Sequence, residues 1–188
     1  VPADTAAALT DAVTRATELL GLGWGPLHWE LRVRDGRAYA IEVNPRLAGG
    51  FIPELVRNAQ GIDLIRETIR LVVGLEPEVG AVRHRHASIR FLFPPAQGRL
   101  EAVEGMDDAL AQSGVVDVQL YRQRGDDIAV HGDFRDRIGH VVACADASAD
   151  ACAAAERGRD LVRVVIGGEA DGEDVLVSAP DRVPEGVA

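Results

Sequence analysis

The chain has 188 residues, of which 47% are hydrophobic and 27% charged, and its formal net charge at pH 7 is −10. Such a length holds one sizeable domain or two small ones, and the composition is that of an ordinary soluble globular protein. The negative balance argues against a nucleic-acid surface, no apolar run is long enough to span a bilayer, and no secretory signal opens the sequence.

The first residue is Val1, not Met, so the sequence is expected to be a processed product, an excised fragment or part of a longer chain. Over residues 3–20, Leu9, Val13, Ala16 and Leu20 recur at helical spacing and Gly21 offers a stop. The spacing predicts a helix that packs on a sheet and carries no chemistry. Residues 21–25 form the turn into the first strand.

Residues 24–34 and 37–43 are predicted to pair as a β-hairpin about Asp35-Gly36. A two-residue loop would set Glu30 against Ile41 and mix polar with apolar side chains. A three-residue loop, Asp35-Gly36-Arg37, pairs Trp29 with Val43, Leu31 with Ile41 and Val33 with Tyr39, which makes one face wholly apolar. The second register is therefore expected, because a slip of one residue turns every side chain over. It sets Glu30 opposite Glu42 on the other face, with Asn44 two residues further on. Opposed carboxylates repel each other. A divalent cation would remove that cost, and two carboxylates with an amide oxygen form a hard donor set suited to Mg²⁺ or Mn²⁺. Arg46 can fork onto phosphate or carboxylate oxygens, and Gly49 and Gly50 allow close approach of a ligand. His28 shares the strand face of Glu30, where it could touch substrate or metal, or simply fill a polar face. Taken one at a time, these residues read as an ordinary polar surface; the set as a whole carries the reading.

His28-x-Glu30 followed by Ile41-Glu42-Val43-Asn44-Pro45-Arg46-Leu47-Ala48-Gly49-Gly50 resembles the metal-binding end of the ATP-grasp ligases. The branch resembled contains L-amino-acid ligases, biotin carboxylase and carbamoyl-phosphate synthetase, and the Leu-Ala-Gly-Gly ending looks most like the amino-acid ligases. The resemblance implies that Glu30 and Glu42 bind magnesium, with Glu42 bridging two ions. It implies that Asn44 binds the second ion and that Arg46 steadies the phosphoryl group or acyl-phosphate as a catalytic residue. It also implies that the loop with Gly49 and Gly50 borders the substrate, beside which His28 is a candidate substrate contact by its place on the strand. ATP-grasp enzymes hold ATP with Lys residues and a Gly-rich loop. All 20 basic residues here are Arg and that loop is missing, so the N-terminal ATP-binding half is expected upstream of Val1 and this chain alone is expected to be inactive.

After Gly50, Pro53 suits a first helical turn, and Ile52, Leu55, Val56 and Ala59 make an apolar stripe that Gly61 ends. A second helix is predicted from Ile62 to about Val73 with Ile65, Ile69 and Val72 inward, stopped by Gly74. Residues 84–94 read as a strand ended by Pro94-Pro95. A strand near 99–103, a helix near 106–112, strands at 115–122 and 138–145, a helix from Ser148 as N-cap to about Gly158 and a strand at 161–166 follow. The fold class expected is α+β: the C-terminal portion of an ATP-grasp domain, an antiparallel sheet with packed helices, over 1–80, then a small closing α+β subdomain over 81–166. Residues 167–188, with six acids against one base for a net of −5, are expected to be a flexible acidic tail.

Three further features have bland readings. His84 and His86 could form a metal pair but lack a third ligand. Arg135 and Arg137 read as surface ion pairs or as groups reaching back to the site. Cys144 and Cys152 read as free thiols in a reducing cytosol. The expected function is the metal- and phosphate-binding part of an ATP-dependent carboxylate–amine ligase. Its partners are ATP, small carboxylate and amine substrates and the N-terminal half, with no nucleic acid and no membrane; it is expected to be cytoplasmic, and a homodimer is left open. The rival reading is a non-catalytic fragment or accessory subunit that folds or oligomerises with a separate ATP-binding chain.

Overall fold

The structure, a computed structural model, describes residues 2–167. They form two compact units, one ending at Arg83 and one beginning at His84. The acidic segment expected beyond Gly167 lies outside the described residues.

The first unit opens with α1 (Ala3–Leu19). Leu9, Val13 and Ala16 lie half-buried on one stripe, whereas Leu20, expected on it, is exposed. Leu20 is the C-cap, past the last helical residue, and Gly21 follows in the left-handed region at φ 66°. The helix lies against β2 of a hairpin formed by β1 (His28–Arg34) and β2 (Arg37–Asn44).

The hairpin departs from the expected register near its turn. Asp35 and Gly36 both have positive φ, 51° and 72°. That is the signature of a two-residue type I′ turn, whose twist matches that of the flanking strands. It pairs Arg34 with Arg37, Val33 with Ala38, Arg32 with Tyr39 and Leu31 with Ala40. The register then shifts by one residue, and Glu30 pairs with Glu42, Trp29 with Val43 and His28 with Asn44. Ile41 is the extra residue. The apolar face therefore runs through Trp29, Leu31, Val33, Ala38, Ala40 and Val43, while Tyr39 and Ile41, expected within it, are exposed.

After the hairpin, α2 (Ile52–Gln60) is capped by Phe51 and ended by Gly61, and α3 (Leu64–Val72) is capped by the Asp63 carboxylate, which accepts the Arg66 N–H at 3.0 Å. The inward face of α3 carries Leu64, Glu67, Thr68 and Leu71. Ile65, Ile69 and Val72, expected inward, are exposed. The helix has two apolar stripes, so periodicity alone could not choose between them. Glu67 decides: it is 3% exposed and accepts the Glu78 N–H at 2.7 Å and Arg66 Nε at 2.8 Å, with Arg70 Nε at 3.2 Å. Those donors, the Glu78 N–H foremost, hold its carboxyl below the usual range.

The second unit has two antiparallel three-stranded sheets. One is ordered β3 (His86–Leu92), β7 (Gly139–Ala145), β5 (Val115–Leu120); the other is β6 (Asp127–Ile128), β4 (Gly98–Glu104), β8 (Arg163–Gly167). The short helix α4 (Met106–Leu110) packs on α5 (Ser148–Leu161), which covers β3 and β7. The core joins Leu92, Leu100, Ile128, Ile138 and Val141, and a second cluster seats Ala143 against Ala154 and Ala155. Small residues at that second contact let the helix come close. Ser148 is the first helical residue and not the cap; Ala147 occupies the cap position without a side-chain bond. His84 precedes the strand and only His86 lies in it, both exposed, so they form no pair on one strand face. Cys144 and Cys152 form no disulfide among the described residues.

A loop from His131 to Asp136 closes on one carboxylate. Asp136, 5% exposed, accepts the N–H groups of His131 (2.9 Å), Gly132 (2.6 Å) and Asp133 (3.3 Å), and meets the His131 ring at Nδ1, 2.9 Å. Burial pushes its pKa up, but these bonds outweigh it and the net shift is downward. A carboxyl whose folded pKa is depressed stabilises the fold above its unfolded value, and that contribution vanishes as pH falls through the folded value. Protection of the Gly132 amide from exchange should therefore stay constant above about pH 4 and fall below it. Protection that is flat throughout acid titration would contradict the role given to Asp136.

Candidate functional site

The site is built where β1 and β2 part. The pairs Glu30–Glu42 and His28–Asn44 stand in register, so four polar side chains share one face of two adjacent strands. Both carboxylates are exposed and His28 and Asn44 half-buried. Asn44 Nδ2 donates to Glu42 Oε1 at 2.7 Å. Among the described residues neither Glu30 nor Glu42 has an ion-pair partner, so the like-charge opposition is uncompensated by protein. His28 Nδ1 is buried with no hydrogen-bond partner among the described residues.

Beyond Asn44 the chain turns sharply. The Arg46 N–H bonds to the Asn44 carbonyl at 2.8 Å, and Arg46 Nη1 donates to the Leu47 carbonyl at 2.9 Å, leaving the guanidinium exposed. A Cβ atom added at Gly49 or Gly50 would meet no described residue within 4 Å, so the loop borders open space there. Gly50 and Phe51 both take positive φ, 62° and 64°, and the Ile52 N–H closes the turn on the Gly49 carbonyl at 3.2 Å. A bulky residue in the left-handed region costs of order 1 kcal/mol, a strain common at ligand sites.

The donor set suits a hard divalent cation: two carboxylates opposed without a counter-charge, and an amide beside them. Among the described residues no three His, Cys, Asp or Glu side chains gather in one place, so a metal would rest on this pair, Asn44 and non-protein oxygens.

Other candidates resolve differently. Arg135 is spent on Asp133, through Nε at 3.0 Å and Nη2 at 2.8 Å. That pairing holds the Asp133 carboxyl down at about 2. Arg137 stacks over the Phe91 ring, Cζ 3.8 Å from its centroid. No pattern in the sequence signals the buried polar chain of the second unit. His140, 1% exposed on β7, meets Asp117 Oδ2 through Nε2 at 2.9 Å and the Tyr121 hydroxyl through Nδ1. With Nε2–H donating to the carboxylate and the Tyr121 O–H donating to Nδ1, all three groups are satisfied. Burial raises the Tyr121 hydroxyl to about 12 and keeps it a donor. The first unit also hid one residue, Ile41. A two-residue Asp-Gly turn pairs Glu30 with Ile41, one short of Glu42, so two Glu residues on one face demanded an extra residue between them.

Comparison with known proteins is consistent across both units. The family model for the ATP-grasp domain matches residues 1–54, and that for the L-amino acid ligase C-terminal domain 2 matches residues 90–167. The uncharacterized protein y4rH of Sinorhizobium fredii is 43% identical over 141 residues, 75% of this chain and 30% of that protein. Carnosine synthase 1 of Gallus gallus is 32% identical over 77 residues, 41% of this chain and 8% of the synthase. The L-amino acid ligase of Bacillus licheniformis superposes with a TM-score of 0.75 at 24% identity, over 89% of this chain and 42% of that one, a likeness of fold. The chain thus spans about a third or less of the curated relatives it matches.

Proposed function

We propose, from the match of residues 1–54 to the ATP-grasp domain model and of residues 90–167 to the L-amino acid ligase C-terminal domain 2 model, that the chain supplies the metal- and phosphate-binding part of an ATP-dependent carboxylate–amine ligase acting on an amino acid through an acyl-phosphate. We assign residues 1–80 to the ATP-grasp domain and 81–166 to the closing subdomain. The observation that carries the reading is the Glu30–Glu42 pair, opposed on one face without an ion-pair partner among the described residues and with Asn44 and Arg46 at the same end of the hairpin.

Each residue has a role that its position allows. Glu30, Glu42 and Asn44 would hold Mg²⁺ or Mn²⁺, and the bound ion would neutralise charge on the phosphates of ATP. Arg46, exposed beyond Asn44, would swing from the Leu47 carbonyl to fork onto the transferring phosphoryl group. His28, with its buried Nδ1, and the open loop at Gly49 and Gly50 would meet the substrate. No helix among the described residues is long and apolar enough to cross a membrane.

The nucleotide-gripping Lys residues and Gly-rich loop of the family would come from further protein, as the same chain or as a separate one. Exposed Ile65, Ile69 and Val72 on α3, with Val73 at its C-cap, favour a first unit completed by other protein. The test is magnesium-dependent release of ADP by the native gene product offered pairs of L-amino acids. Release that needs both partners and yields an amide-linked product is expected; no release with any pair would overturn the ligase reading.

A further inference from the structure

The register of the hairpin carries more than the donor set. The type I′ turn at Asp35-Gly36 fixes pairing as far as Leu31–Ala40. Continued unbroken, that ladder would set Glu30 against Ile41, Trp29 against Glu42 and His28 against Val43. Glu42 would then share the face of Trp29 and Leu31, on the side turned toward α1, and the carboxylate pair would not exist. One extra residue, Ile41, inserted between Ala40 and Glu42, restores Glu30–Glu42 and His28–Asn44.

Packing among the described residues does not explain that insertion, because Ile41 is 63% exposed within them. A bulge also gives up a ladder bond. Its general effects are to bend its strand, sharpen the local twist and re-aim the side chain that follows, here Glu42. In a regular ladder two opposed carboxylates stand side by side with parallel stems; a local bend tips one toward the other, so that both can reach one ion.

We infer that Ile41 is a positioning residue: its bulge aims Glu42 so that Glu30 and Glu42 address the same cation, at a cost in hairpin stability. The inference rests on the metal reading above. It concerns the bulge itself, because two changes can remove the bulge while leaving Glu30 opposite Glu42. Deleting Ile41 lets Glu42 follow Ala40 directly. Inserting a glycine after Gly36 allows a four-residue loop, Asp35-Gly36-Gly-Arg37, that sets Arg34 against Ala38 and pairs Leu31 with Ile41 and Val33 with Tyr39. The two reach a regular ladder by opposite routes, so either one that folds serves the test.

The measurement is Mn²⁺ binding to the 188-residue chain by electron paramagnetic resonance, beside the metal-free melting temperature. Wild type and Glu42→Gln are run with the two variants. The expected result is Mn²⁺ binding by wild type that weakens at least roughly tenfold in Glu42→Gln and in the regularised hairpins, with the regularised hairpins melting no lower than wild type. Loss of affinity without loss of stability separates aiming from mere support. Equal Mn²⁺ affinity in wild type and a regularised hairpin, with Glu42→Gln still weak, would overturn the inference and leave the metal reading standing. Wild type no tighter than Glu42→Gln would overturn both.

Discussion

Gly105→Ala should lower the melting temperature of the second unit by roughly 10–25 °C. Gly105 caps α4 at φ 79°, in the left-handed region, where any other residue is strained by about 1 kcal/mol. A methyl group there would also overlap the carbonyl oxygen of Leu161 and stand 3.0 Å from its carbonyl carbon. Neither partner can retreat. Leu161 is the last residue of α5, and two residues later Arg163 is paired with Glu104, the neighbour of Gly105. The new carbon is therefore trapped between two elements joined on both sides, and overpacking of that kind adds about 1–3 kcal/mol. The sum, roughly 2–4 kcal/mol, is a large share of the 5–15 kcal/mol that typically separates folded from unfolded domains. Gly80→Ala is the control, since an added carbon there meets nothing within 4 Å, and its effect should stay within about 0.5 kcal/mol. Thermal unfolding followed by circular dichroism checks both. An unchanged melting temperature in Gly105→Ala would mean that α5 and β4 do not meet as described.

The same locality explains what could be read in advance. His28, Glu30, Glu42 and Asn44 come together through one hairpin, and a hairpin is specified by a turn dipeptide and an alternating pattern lying within 17 residues of sequence. The turn was legible as Asp-Gly. Its length was misjudged because the apolar pattern was asked to choose a single register for the whole ladder, whereas the chain uses two. Most elements of the second unit were legible for the same local reason, each being a run with its own period and its own breaker.

Where the deciding contact was distant, the sequence was silent. Both faces of α3 are apolar at helical spacing, and what turns Glu67 inward is the Glu78 N–H, eleven residues on. His140 finds Asp117 and Tyr121 across a strand pair, 23 and 19 residues away. The strands of the second unit other than the two-residue β6 were foreseeable one by one, but their division into two sheets depends on which neighbour each meets, and period-2 patterning does not encode a neighbour.

In the whole enzyme proposed above, Glu42→Gln should abolish ligation while leaving the fold intact. The change keeps shape and volume but removes a negative charge and weakens an oxygen donor. Glu42 lies between Glu30 across the ladder and Asn44, which donates to it at 2.7 Å, so it is central to the donor set. If Glu42 has the bridging role that the family resemblance implies, its loss would disturb contacts to both ions. Loss of one group that stabilises transition-state charge typically costs ~3–4 kcal/mol, a factor of about 10² to 10³ in rate. Glu30→Gln should cost less, because Glu30 is expected to touch one ion only. Metal-free stability should move the other way. Each substitution relieves the Glu30–Glu42 repulsion, and because both carboxylates are exposed the gain should be a few tenths of a kcal/mol. An ordinary surface glutamate would show neither signature: its Gln variant would keep full turnover. The two readouts together, turnover with saturating magnesium and melting temperature in chelator, therefore separate a metal ligand from a surface residue. Full activity in Glu42→Gln would end the ligase assignment of this hairpin.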